Sequence, residues 1–106
     1  MEDLRYPIGK YIVQPFSDGL WQEWLVDIKN LPQHLENAVL NLDESQLNTP
    51  YRDGGWTVKQ LVHHVADSHM NAYIRFKLGL TENNPAIKAY DQSAWAEMAD
   101  TKNLPV

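Results

Sequence analysis

An all-α fold follows from three observations. Two long runs of apolar residues recur at spacings of three and four. Each run opens on a helix-start signal. A loop rich in proline and glycine separates them. The chain has 106 residues, enough for one domain and not two.

Bulk composition narrows the class. Hydrophobic residues make up 43% and charged residues 22%, which is ordinary for a folded domain. The net charge of −5, with no Lys/Arg cluster, argues against a nucleic-acid partner. The absence of cysteine excludes disulfides and thiolate metal sites and fits a reducing compartment. Met1 to Pro7 lacks the basic start and apolar core of a signal peptide. No apolar run approaches the roughly 20 residues of a membrane span. A cytoplasmic protein without a membrane partner is expected.

Residues 1–16 carry Pro7, Gly9 and Pro15 among Tyr6, Ile8, Tyr11, Ile12 and Phe16. Proline and glycine oppose a helix, whereas the apolar residues oppose a free tail. An extended arm packed on the body or on a partner subunit satisfies both.

The first helix is expected over 17–42. Ser17-Asp18 supplies an N-cap, and Leu20, Trp21, Trp24, Leu25, Ile28, Leu31, Leu35, Val39 and Leu42 form one apolar face. Pro32 lacks an N–H and should kink or split the helix near Asn30. Asp43 to Leu47 reads as one short helical turn. Asn48 to Gly55 is a loop, in which Gly54-Gly55 permits positive φ.

The second helix is expected over 57–80. Thr57-x-x-Gln60 is a capping box. Val58, Leu61, Val62, Val65, His69, Ala72, Tyr73, Phe76 and Leu80 are periodic, with Met70, Ile74 and Leu78 adding apolar surface elsewhere. A helix apolar over much of its circumference is buried on more than one side. After a loop, Asp91 caps a short helix over 91–98, and Thr101 to Val106 trails away. A bundle normally needs about four helices around its core. So either the chain completes its core as a homodimer, or 1–106 is a single partial domain, the front of a larger one.

Three of the four histidines, His63, His64 and His69, fall within seven positions. At about 100° per residue from Val58, His69 lies near 20°, His63 near 140° and His64 near 240°. They cannot point at one ion from one helix, and no H-x-x-x-H pair exists. Pattern alone favours a core role for His69 and a partly exposed His63 paired with Asp67. It favours a surface role for His34, and a non-ligand role for His64 over a ligand one. No nucleophile elbow, phosphate loop or dinucleotide fingerprint is present.

Four stretches nonetheless carry a family likeness. They are Leu4 to Gly9, Thr49 to Val58, Val62 to Leu78 (with Val62-His63-His64-Val65-Ala66-Asp67-Ser68-His69) and Ile87 to Ala96. Together they resemble the YfiT branch of the DinB superfamily, metal-dependent hydrolases of Bacillus-like bacteria. The resemblance implies a DinB-like four-helix bundle, usually a homodimer. Of that bundle this chain supplies the N-terminal arm, the first two long helices and a short helix. It implies one divalent metal, Zn²⁺ or Ni²⁺, held by three histidines. The first of these is the second member of the His-His pair, which here is His64. Related members are thiol S-transferases that join a small-molecule thiol such as bacillithiol to an electrophile. A hydrolysable substrate is the other expectation.

The sequence departs from the family in one respect. The other two ligands form an H-x-x-x-H pair on the last helix, and this sequence has none. One histidine does not hold a catalytic zinc, which takes about three protein ligands. The chain is therefore expected to be an inactive front part of the parent enzyme. Two alternatives remain: a non-catalytic, self-associating helical module with structural histidines, and a metal site rebuilt across subunits with help from His63 or His69.

Overall fold

The computed structural model describes residues 3–106; Met1 and Glu2 of the expected arm lie outside them. The chain divides into two compact units, Met1–Leu47 and Asn48–Val106. Among the described residues the regular elements are five helices, with one isolated β-bridge and no strand. No helix among them is long and apolar enough to cross a membrane.

In the first unit the described part of the arm, from Asp3, is non-helical up to Ser17. Gly9 sits at φ +86, a conformation that favours glycine. Of the arm's apolar side chains, Ile8 is 99% exposed, and Tyr11, Ile12, Val13 and Phe16 are exposed too. Phe16 makes one tilted ring contact with Trp21, at 6.4 Å.

Helix α1 runs Asp18–Val39. The Ser17 hydroxyl accepts from Leu20 N at 3.1 Å, satisfying one of the four N–H groups that a helix start leaves without a partner. Of the kink or split expected at Pro32, the split does not occur: the helix is continuous through it. Proline removes one N–H while its own φ remains helical, so the neighbouring turns carry the helix past it. The helix stops at Val39 rather than 42, because Leu40 and Asn41 enter a turn in which Leu42 N reaches Val39 O at 3.1 Å. Helix α2, Glu44–Leu47, is opened by a reciprocal pair. Gln46 N donates to Asp43 Oδ1 at 2.8 Å, and Asp43 N donates to Gln46 Oε1 at 2.9 Å.

The second unit begins with a tight loop closed by a Pro50–Thr57 bridge and a Tyr51 N to Trp56 O bond of 3.0 Å. Its two glycines have different reasons. Gly54 sits at φ +72. A Cβ on Gly55 would lie 2.6 Å from Arg52 Cγ and 2.9 Å from Tyr51 Cε1.

Helix α3 runs Val58–Thr81. Both capping-box bonds are made: Gln60 N donates to Thr57 Oγ1 at 3.1 Å, and Thr57 N donates to Gln60 Oε1 at 3.0 Å. The helix expected over 91–98 is present as α4 (Gln92–Ala96), capped by Asp91, and a further helix that was not expected follows it, α5 (Ala99–Asn103). Thr101, expected to trail away, is 2% exposed and donates to Trp95 O at 3.2 Å. The residues after Met98 thus fold back onto α4.

Both short helices pack on α3 and on each other. Gln60 Nε2 donates to Ala96 O at 2.9 Å and to Glu97 Oε1 at 3.3 Å. The buried residues of α3 are Lys59 and Gln60, not members of the apolar stripe. The short helices cover the polar side of the helix, because that side holds the donor matching the C-terminal carbonyl of α4.

Candidate functional site

Helix α3 carries His63, His64 and His69, and the structure separates them. His64 is half-buried in an aromatic surround. The Trp56 ring, just ahead of the capping box, lies 4.9 Å from the imidazole at 55°. Tyr90 stacks on the same imidazole, with centroids 6.5 Å apart and planes 29° apart. The Tyr90 hydroxyl lies 3.4 Å from His64 Nδ1. Trp95 packs against Tyr90 at 4.6 Å.

Local structure brings these rings together. The capping box sets where α3 begins, and hence the turn on which His64 sits. Tyr90 directly precedes Asp91, whose carboxylate accepts from Ala94 N at 3.1 Å and starts α4. The loop leading to Tyr90 is tied to α3 by Arg75, which donates to Lys88 O at 3.2 Å. Trp95 follows one turn later on α4.

His63 does not take the expected role. Instead of pairing with Asp67, it places Nε2 3.2 Å from Leu104 O, because α5 brings the chain end back over that side of α3. His69 is not a core residue either. It is exposed, with Nδ1 2.8 Å from Val65 O of its own helix. The short helices cover the first half of α3, so the stripe beyond Val65 is open. His34 is exposed on α1.

A catalytic zinc takes about three protein ligands. Among the described residues no group of three or more His, Cys, Asp or Glu converges as a metal site. The residues present do not by themselves fit such a metal: they offer one aromatic-flanked imidazole.

The structure gathers Trp56 and Tyr90 about His64, with Trp95 against Tyr90. Twenty-six positions separate Tyr90 from His64, and no helical or strand period spans that distance. No local signal could have joined them.

Comparison with known proteins places the chain. Residues 27–104 match the model of the DinB superfamily. Relatives from Bacillus cereus (strain B4264) and Bacillus anthracis (strain A0248), each named "Putative metal-dependent hydrolase", are 56% identical over 107 residues. Each match covers 100% of this chain and 61% of the relative. The chain therefore spans about three fifths of the length of the curated relatives it matches. A solved structure, YfiT from Bacillus subtilis, is described as "a probable metal-dependent hydrolase with an unusual four-helix bundle topology". It is 52% identical, with a TM-score of 0.91 covering 96% of this chain and 59% of that one. The helices described above are thus those of a YfiT-like, all-α bundle fold. By family model, relatives and fold together, the chain belongs to the DinB superfamily.

Proposed function

We propose that this chain is the N-terminal part of a metal-dependent DinB-type enzyme, a hydrolase or a thiol S-transferase, in which His64 is one of the metal ligands. One observation carries the reading: of the three histidines on α3, only His64 is flanked by aromatic rings and free of a backbone carbonyl partner. The names of the relatives support a divalent metal; the likeness to the family further suggests Zn²⁺ or Ni²⁺. The part played by this chain is to hold and orient one imidazole. The remaining donors lie outside these 106 residues, so the chain alone retains no stoichiometric metal and is inactive. The substrate class is a small molecule, either a thiol with its electrophile or a hydrolysable compound. The setting is a cytoplasmic homodimer.

The test is elemental analysis of metal per chain, on protein whose intact mass confirms an end at Val106, followed by His64→Ala. Little or no metal supports one ligand in search of partners. Near-stoichiometric metal that is lost in His64→Ala favours a site rebuilt across subunits with His63 or His69, and a chelator should then dissociate the oligomer. Metal retained in His64→Ala removes His64 from the site.

A second reading rests on a different observation. Phe76, Leu80 and Ile87 are exposed and, with Pro85, line an apolar cleft of about 500 Å³. A non-catalytic, self-associating helical module would use such a face. A sharp dimer by light scattering, indifferent to chelator and to His64→Ala, favours it.

A further inference from the structure

The three histidines of α3 differ in which ring nitrogen keeps its lone pair. A carbonyl oxygen only accepts, so the imidazole nitrogen bonded to it carries the proton. His63 donates from Nε2 to Leu104 O at 3.2 Å, which leaves its lone pair on Nδ1. His69 donates from Nδ1 to Val65 O at 2.8 Å, which leaves its lone pair on Nε2. Both tautomers are set by their partners.

His64 has a partner of another kind. The Tyr90 hydroxyl at 3.4 Å from Nδ1 can donate to a bare nitrogen or accept from N–H. The pair is long for a hydrogen bond, and a hydroxyl can rotate to serve either arrangement. Ring contacts hold both members in place, Trp56 on His64 and Trp95 on Tyr90. The helix cap at Asp91 and the Arg75 bond to Lys88 O restrain the backbone on either side of Tyr90.

We infer that Tyr90 is the positioning residue of His64: its hydroxyl occupies Nδ1 in either tautomer and keeps Nε2 as the nitrogen offered to an outside ligand. A carbonyl in that place would lock one tautomer. A hydroxyl lets the ring turn Nε2 from N–H to lone pair without losing its partner. The functional meaning rests on the reading of His64 as a metal ligand, whereas the pair itself does not.

The test is long-range ¹H–¹⁵N correlation spectroscopy of the labelled chain, at about pH 8.5, two units above the ordinary imidazole pKa. His63 and His69 serve as internal references for the two fixed tautomers, and exposed His34 for a solvated ring. In Tyr90→Phe the ring ¹⁵N shifts of His64 move to the His34 pattern while those of His63 and His69 stay. Identical His64 shifts in both proteins overturn the inference. If Tyr90→Phe unfolds, so that His63 and His69 also move to the His34 pattern, the original chain decides alone. A His64 pattern distinct from that of His34 supports the pair, and coincidence with it overturns the pair. The two readings fail separately. Metal retained by His64→Ala removes the metal role and leaves the pair standing. An unchanged spectrum in Tyr90→Phe removes the pair and leaves the metal role untouched.

Discussion

The two halves of α3 carry the same apolar period and end in different surroundings. From Val58 to Ser68 most positions are half-buried, and Lys59 and Gln60 are fully buried. From His69 to Thr81 the large apolar residues Met70, Tyr73, Ile74, Phe76 and Leu80 are exposed, Leu80 at 85%. The difference lies in partners rather than in hydrophobicity. In the first half, Gln60 and His63 bond to the backbone of α4 and of the chain end, and this docks the short helices there. The second half has no such polar anchor on the short helices. Where the short helices dock along this helix therefore follows hydrogen-bond partners rather than the apolar period alone.

The largest expected effect falls on Gln60. Its side chain closes the capping box and binds the end of α4, so Gln60→Ala leaves Thr57 N and Ala96 O without those partners. A loss of about 2–3 kcal/mol is expected from a cap plus a buried hydrogen bond. Urea unfolding measures it. A loss below about 0.5 kcal/mol would show that the short helices are held to α3 by something else, and the contrast between the halves would need another cause.

On the open half, Leu80→Ser should change stability by no more than about 0.5 kcal/mol, as for an exposed substitution. A loss of about 2 kcal/mol or more, the cost of truncating a buried leucine, would mean that this face is covered in solution. The comparison would then describe an isolated chain only.

The smallest effect is a pH dependence in the covered half. A hydrogen bond from Lys102, and then its charge, hold the Glu97 carboxyl below the ordinary 4.5; the ion pair spans 2.6 Å. A lowered carboxyl value contributes stability that is complete above 4.5 and is lost as pH falls through the lower folded value. Both side chains are more than half exposed, so solvent screening keeps the contribution small. Glu97→Gln should lower the urea midpoint slightly near neutrality and converge with the original chain in acid, below the lowered Glu97 value, so that its acid limb is flatter. An acid limb identical in both proteins would exclude the pair as its source.

Legibility in the sequence followed contact range. Thr57-x-x-Gln60 and the Ser17 cap were readable because their bonds join residues three apart, within one turn. Gly54 was readable because positive φ is a property of a single residue. At Pro32 local sterics favour a kink or a split, and of these the split does not occur. The helix over Ala99–Asn103 was missed because its run is short and polar, and because Thr101 is buried through a bond to Trp95 O rather than by apolar period. His69 was assigned to the core because its angular position is apolar, but position on a wheel says nothing of cover. His64 was singled out only by likeness to the family, since spacing gave it no partner.

By itself the sequence determined the helical class, the helix starts and the special conformation at Gly54. Each is a matter of backbone preference or of hydrogen bonds within about four residues, whose energies are set locally. The tertiary structure alone decided which side of α3 is covered, which ring nitrogen His63 presents, and that Tyr90 meets His64. Those outcomes join residues 26 to 41 positions apart. They arise only when whole elements dock, and no local preference encodes where that happens.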